Sequence, residues 1–292
     1  MGSNAFAACH PAVNLAYFVV VLGGTMALDH PVLLCISLLG ALLYAGKLLG
    51  GRALSRQLVW LAPVGVVTMA VNPLFNHRGA TILAWLPDGN PLTLESFYYG
   101  AAAAVMLWAA VLWFLCVNRV LTAEKFVWLF GRFLPALALV LTMTLRFVPR
   151  FTRRLGEVTA ARKGAGYGGK KRFGGALSAL SITVTWALES AIHTSDSMRS
   201  RGYGLPGRTA FSLYRWEKRD TALLCAVLYG GLYVLAGSLL GGVRWQYSPV
   251  AGGEVFSLYT ISIYIVYLGL CLMPVLLERR EEAKWNSSSC GA

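Results

Sequence analysis

Long apolar runs dominate the chain, and their lengths are the first thing that decides its class. Six of them, about 12–28, 31–49, 57–71, 97–117, 221–241 and 256–277, suit helices that cross a bilayer, which takes roughly 17–25 residues. The third is short. The second carries Lys47 close enough to its end for the ammonium to reach the interface. Two more runs, 133–149 and 176–192, are also apolar but continue into helical periodicity. In the first, Phe147, Phe151, Leu155 and Val158 recur on one face, with Arg146, Arg150, Arg153 and Arg154 on another. In the second, Leu177, Leu180, Val184, Leu188, Ala191 and Met198 form an apolar stripe. Ser181, Thr185, Glu189, His193 and Asp196 form a polar one. Both read as helices of about 28 residues, which reach roughly 40 Å.

Composition turns that pattern into a class. The 292 residues are 57% hydrophobic and 13% charged, about half the charge of a soluble domain. A disordered chain, a small disulfide-stapled domain and a soluble enzyme are excluded. Cys35, Cys116, Cys225 and Cys271 lie in apolar runs, and Cys9 and Cys290 near the termini. No CxxC pair suggests zinc or a disulfide framework. The start lacks a positive stretch and a Ser or Thr at position six, so neither a cleavable signal peptide nor myristoylation is expected.

The net charge of +13 changes the picture most. Residues 119–219 hold 18 Lys and Arg against 5 Asp and Glu, so the whole excess lies there and the rest is neutral. Basic segments beside membrane helices stay cytoplasmic. The expected organisation is an N-terminal transmembrane region of about four spans (1–118), a basic cytoplasmic region (119–219), a transmembrane pair (220–278) and a cytoplasmic tail (279–292). Lys47, Arg52 and Arg56 put the link after the second span inside. The first turn (Asp29, His30) and the 72–96 connection (Arg78, Asp88, Glu95) go outside. If 133–149 and 176–192 also crossed, eight Lys and Arg between 150 and 175 would lie outside. Both are therefore expected at or below the cytoplasmic interface, packed on each other and on the spans. The fold class is all-α integral membrane protein, about six transmembrane helices plus two long amphipathic cytoplasmic helices, with both termini cytoplasmic.

The two long helices end alike in sequence, AARKGAGYG (160–168) and SMRSRGYG (197–204). Each sets a small residue before an arginine, Ala161–Arg162 and Ser200–Arg201, and then stops in glycine-rich sequence. A cation near a helix C-terminus is favourable by itself. The repetition adds a second reading: a small residue lets the helix end press into a groove while the guanidinium meets an acidic partner. Two such ends suggest a partner with two equivalent grooves.

These endings resemble the transmembrane T component of energy-coupling factor transporters, a family with two coupling helices that each end in a short Ala-Arg-Gly-like motif. A second block, Val71 to Gly100, is similar to the family in its Asn72–Pro73, its Phe75/His77/Gly79 spacing and its Thr93/Glu95/Gly100 spacing. The resemblance covers about residues 10–280. It implies a non-catalytic scaffold of a vitamin or transition-metal importer in a prokaryotic plasma membrane. Its implied partners are two cytoplasmic ABC-type ATPases, which would carry ATP and Mg, and a small substrate-binding S component. Arg162 and Arg201 match the docking arginines, with Ala161, Ser200 and Gly202 permitting close approach. Lys163 stands where the first motif would have glycine.

Other motifs lead elsewhere or nowhere. Gly164–Lys171 lacks the hydroxyl and the preceding strand of a phosphate-binding loop. Glu189, His193 and Asp196 share a helix face, read as solvated polar surface rather than a metal site. His77 is read as a loop-folding residue. No cofactor, metal or catalytic set is expected in this chain. The competing reading is a stand-alone secondary transporter or channel whose basic segment rests on lipid.

Overall fold

The computed structural model describes residues 5–76, 79–85, 91–131, 134–166, 172–205, 214–243, 245–247, 252–253 and 257–289. His77, Arg78, Asp88, Lys170, Lys171 and Cys290 lie outside the described residues.

Among the described residues the chain is almost wholly helical and divides into two compact units. The first joins Met1–Thr122 to Tyr214–Ala292. It contains α1 (Pro11–Ala27), α2 (Pro31–Leu49), α3 (Gly51–Phe75) and α4 (Leu94–Val120), and then α8 (Lys218–Leu239) and α9 (Leu258–Ser289). The second is Ala123–Leu213, nearly the same stretch as the basic segment. It contains α5 (Ala123–Gly131), α6 (Pro135–Gly164) and α7 (Arg172–Ser200).

Among the described residues six helices are long and apolar enough to cross a membrane, which makes this a multi-pass membrane protein. They are not quite the expected six. α1 is only 17 residues long, because Leu28 turns extended before Pro31 starts the next helix. Gly174–Ser200 of α7 qualifies instead, a stretch that the sequence alone places at or below the cytoplasmic interface. The third span is longer than its apolar core suggested. α3 runs back through Arg56 and Arg52 and passes Pro63 and Pro73, which membrane helices tolerate. Two small hairpins, β1–β2 (Ile82–Trp85 with Pro91–Thr93) and β3–β4 (Trp245–Gln246 with Gly252–Gly253), were not expected from the sequence.

Helix packing in the first unit uses aromatics, small residues and one polar knot. Phe6, Tyr17, Phe18, Tyr44 and Trp113 are fully or nearly fully buried and meet edge to face, with Phe6 5.0 Å from Tyr17 and Tyr17 6.0 Å from Trp113. Beside them Thr25 Oγ1 lies 2.6 Å from Ser37 Oγ and 3.2 Å from Tyr267 OH, and Trp113 Nε1 donates to Ser37 at 3.0 Å. Four helices are thus joined through three hydroxyls and one indole N–H, polar contacts that hold helices together in an apolar medium. Gly40 lets α2 lie against α9, since a Cβ there would sit 2.7 Å from that of Cys271. α1 and α2 start the same way. His10 and His30 each accept a backbone N–H through Nδ1 at 3.3 Å, from Ala12 and Val32, and a proline follows at the first helical position. Burial lowers both imidazole pKa values, against the pull of Asp220 in the case of His10, and so favours the neutral acceptor.

Candidate functional site

The second unit is built around the hairpin of α6 and α7. The contacts step back along α6 as they step forward along α7, from Arg162 with Ser178 to Phe147 with Trp186, so the two helices are antiparallel. Trp186 is the anchor. Phe147 stacks on it at 6.4 Å, and the guanidiniums of Arg150 and Arg154 sit over its ring at 5.4 and 5.6 Å. Glu157 holds Arg154 at 3.0 Å and Arg153 at 3.6 Å. Thr183 and Ala179, both buried, lie about one and two turns before Trp186 on the same face. None of this face except the Phe147–Val158 stripe was legible as an interface, because small and polar residues make it.

The apolar stripe of α7 instead points outward. Leu177 and Leu188 are 61% and 64% exposed, and Leu137 and Val140 of α6 are similarly open at 60% and 59%. Within its own unit, this stripe is not the face that α7 turns to α6. The close approach of two helices favours the small Ala179–Thr183 face, which leaves bulky Leu and Val side chains outside.

Both helices stop at a glycine with positive φ, Gly166 at 81° and Gly202 at 75°. At the end of α7 the N–H of Tyr203 donates to Met198 C=O at 3.0 Å and that of Gly202 to Arg199 C=O at 3.0 Å. This is a Schellman ending, with Arg201 as the cap and Gly202 in the left-handed position that disfavours any Cβ. The role of Gly202 visible here is thus to terminate the helix. At the end of α6 the cap is Ala165.

Aligned on these glycines, Gly166-Tyr167-Gly168 falls on Gly202-Tyr203-Gly204, and Arg201 falls on Ala165. Arg162 lies three residues further inside its helix than Arg201 does, about 4.5 Å along the axis and 60° short of a full turn. The sequence alignment of the two arginines is therefore offset from the alignment of the two helix ends.

Their surroundings differ as well. Arg162 is half-buried and donates from its guanidinium to Ser178 Oγ across the hairpin. Arg201 is exposed, as are Ala161, Lys163 and Ser200, whose hydroxyl donates to Ser197 C=O at 2.9 Å; Gly202 is partly covered. Arg201 borders an open cleft of about 630 Å³ together with Arg150, Trp186, Glu189, His193 and Tyr203. Within the polar stripe Asp196 does not reach this cleft, and no group of three His, Cys, Asp or Glu among the described residues is close enough to hold a metal.

The Val71–Gly100 block has a local physical logic of its own. The Glu95 carboxylate accepts the Thr81 N–H at 3.2 Å and the Thr81 hydroxyl, and closes the turn before β1. Thr93 Oγ1 pairs with Ser96 Oγ at 2.7 Å, and Ser96 donates to Asn76 C=O. Gly100 lets α4 press onto α3, where a Cβ would meet Met69 C=O at 2.9 Å. Thr93, Glu95 and Gly100 thus build the fold here.

No protein-family model matches the chain, and no curated protein sequence matches it.

Proposed function

We propose that the chain is the non-catalytic transmembrane scaffold of an ATP-driven micronutrient importer of the energy-coupling factor type. In this reading α6 and α7 are its coupling helices, and each helix end docks on one of two cytoplasmic ABC-type ATPases, which bind ATP and Mg. A small membrane S component, carrying a vitamin or a transition-metal ion, sits against the scaffold. Both termini are cytoplasmic, and the membrane is the plasma membrane of a prokaryote.

One observation carries the reading. The antiparallel hairpin sends its two helix ends in opposite directions. Helices of 30 and 29 residues hold those ends on the order of 40 Å apart, too far for a single groove and suited to two subunits. Each end presents exposed cations, Lys163 on one and Arg201 on the other. ATP-driven changes in the separation of the two grooves would rotate one helix against the other about the Trp186 contact. Motion would pass to the spans without any chemistry in this chain.

The test is purification of the full-length chain from its host membranes. Two Walker-motif ATPases and a small membrane protein are expected to co-purify with the wild type and to be lost from the Arg162→Glu/Arg201→Glu double variant. Unchanged recovery of the ATPases with the double variant would overturn the docking assignment. Ion-gradient-driven transport by the chain alone in proteoliposomes would replace the reading with a secondary carrier.

A further inference from the structure

We infer that the groove between α8 and α9 is a binding site for one anionic phospholipid. An acyl chain would lie in the groove, with the phosphodiester on Arg280. The groove measures about 420 Å³, and Leu223, Ala226, Gly230, Gly269, Met273 and Leu277 form much of its wall. It is open because its floor is small. Nothing lies within 4 Å of a Cβ built on Gly269, whereas Gly230 is already covered by Leu270 at 3.1 Å. Both helices are candidate spans, so the groove opens into hydrocarbon, where an apolar chain is the natural filling.

Charge selects the headgroup. Arg280 ends the α9 side of the lining and is exposed, with no ion pair among the described residues. The neighbouring carboxylates are engaged elsewhere, Glu281 with Arg219 at 3.2 Å and Glu282 with Lys47 at 3.4 Å. At helical spacing the face of α9 that holds Arg280 continues from Leu276 and Leu277 to Lys284, without an acid. A basic group where an intramembrane apolar groove meets the interface is the arrangement that binds anionic headgroups. The inference is independent of the scaffold reading.

The experiment is native mass spectrometry of the full-length chain in zwitterionic detergent, titrated with dioleoyl-phosphatidylglycerol or dioleoyl-phosphatidylcholine. One phosphatidylglycerol is expected to be retained in preference to phosphatidylcholine. Arg280→Gln should weaken it about fivefold. Arg279→Gln, on a side chain outside the groove lining, should not. Gly269→Leu fills the floor and should abolish retention. Ala226→Leu does the same from α8 if the first variant does not fold. Equal weakening by both arginine variants would reduce the effect to diffuse attraction and overturn the site. Retention unaffected by either filling variant would overturn the groove as its seat. Loss of a co-purifying membrane protein on filling, with lipid retention unchanged, would overturn the lipid in favour of a partner helix.

Discussion

The ends of α6 and α7 look like copies in sequence and are not copies in space. Each stops at a positive-φ glycine followed in sequence by Tyr-Gly. At the α7 end the arginine is the cap residue and stands in the open beside a cleft. At the α6 end the arginine lies within the last turn and reaches back to Ser178. One guanidinium is exposed, and the other helps hold the hairpin. A shared motif therefore does not imply a shared task, because a shift of three residues along a helix changes what the side chain can touch.

The difference can be pressed experimentally. The largest effect belongs to Arg201→Glu, which should reduce recovery of partner ATPases by about tenfold or more, as loss of a charge-assisted contact does. Arg162→Glu should cost only about threefold on the same readout, through a loosened hairpin. Equal losses would restore the symmetry that the helix ends deny. Trp186→Ala removes the ring shared by Arg150, Arg154 and Phe147 and should lower stability by about 2 kcal/mol in thermal unfolding. It should impair both ends together. Gly202→Ala should cost about 1 kcal/mol, since its φ is left-handed. Gly164→Ala, with nothing near a Cβ, should leave stability unchanged or slightly higher. Ser178→Ala should cost about 0.5–1 kcal/mol. Faster amide exchange around residues 155–180 should accompany it, with the α7 end unchanged.

Much of the first unit was legible because membrane helices announce themselves by length. The runs at 31–49 and 97–117 fall on or within α2 and α4. The apolar run at 57–71 is shorter than α3 because Arg52 and Arg56 interrupt the apolar pattern before it. A helix can carry both when its charged turn lies at one end. The Thr93/Glu95/Gly100 spacing was visible, whereas its cause was not, since the bond from Thr81 to Glu95 depends on where a hairpin folds back. In the second unit the apolar and polar stripes of α7 were read from periodicity, but the face that packs is Ala179–Thr183–Trp186. Periodicity identifies a greasy face without saying whether a neighbouring helix, a lipid or a partner covers it. Ser178 gave no signal at all, because its role comes from the register of an antiparallel pair.

The most direct measurement of the central claim is photo-crosslinking in native membranes from a benzophenone side chain at position 200, with position 161 as the reference. Position 200 should capture an ATPase subunit, and adding Arg201→Glu should abolish the product, while the position 161 product survives that change. Capture of lipid alone from position 200, or an ATPase product indifferent to Arg201→Glu, would contradict the account.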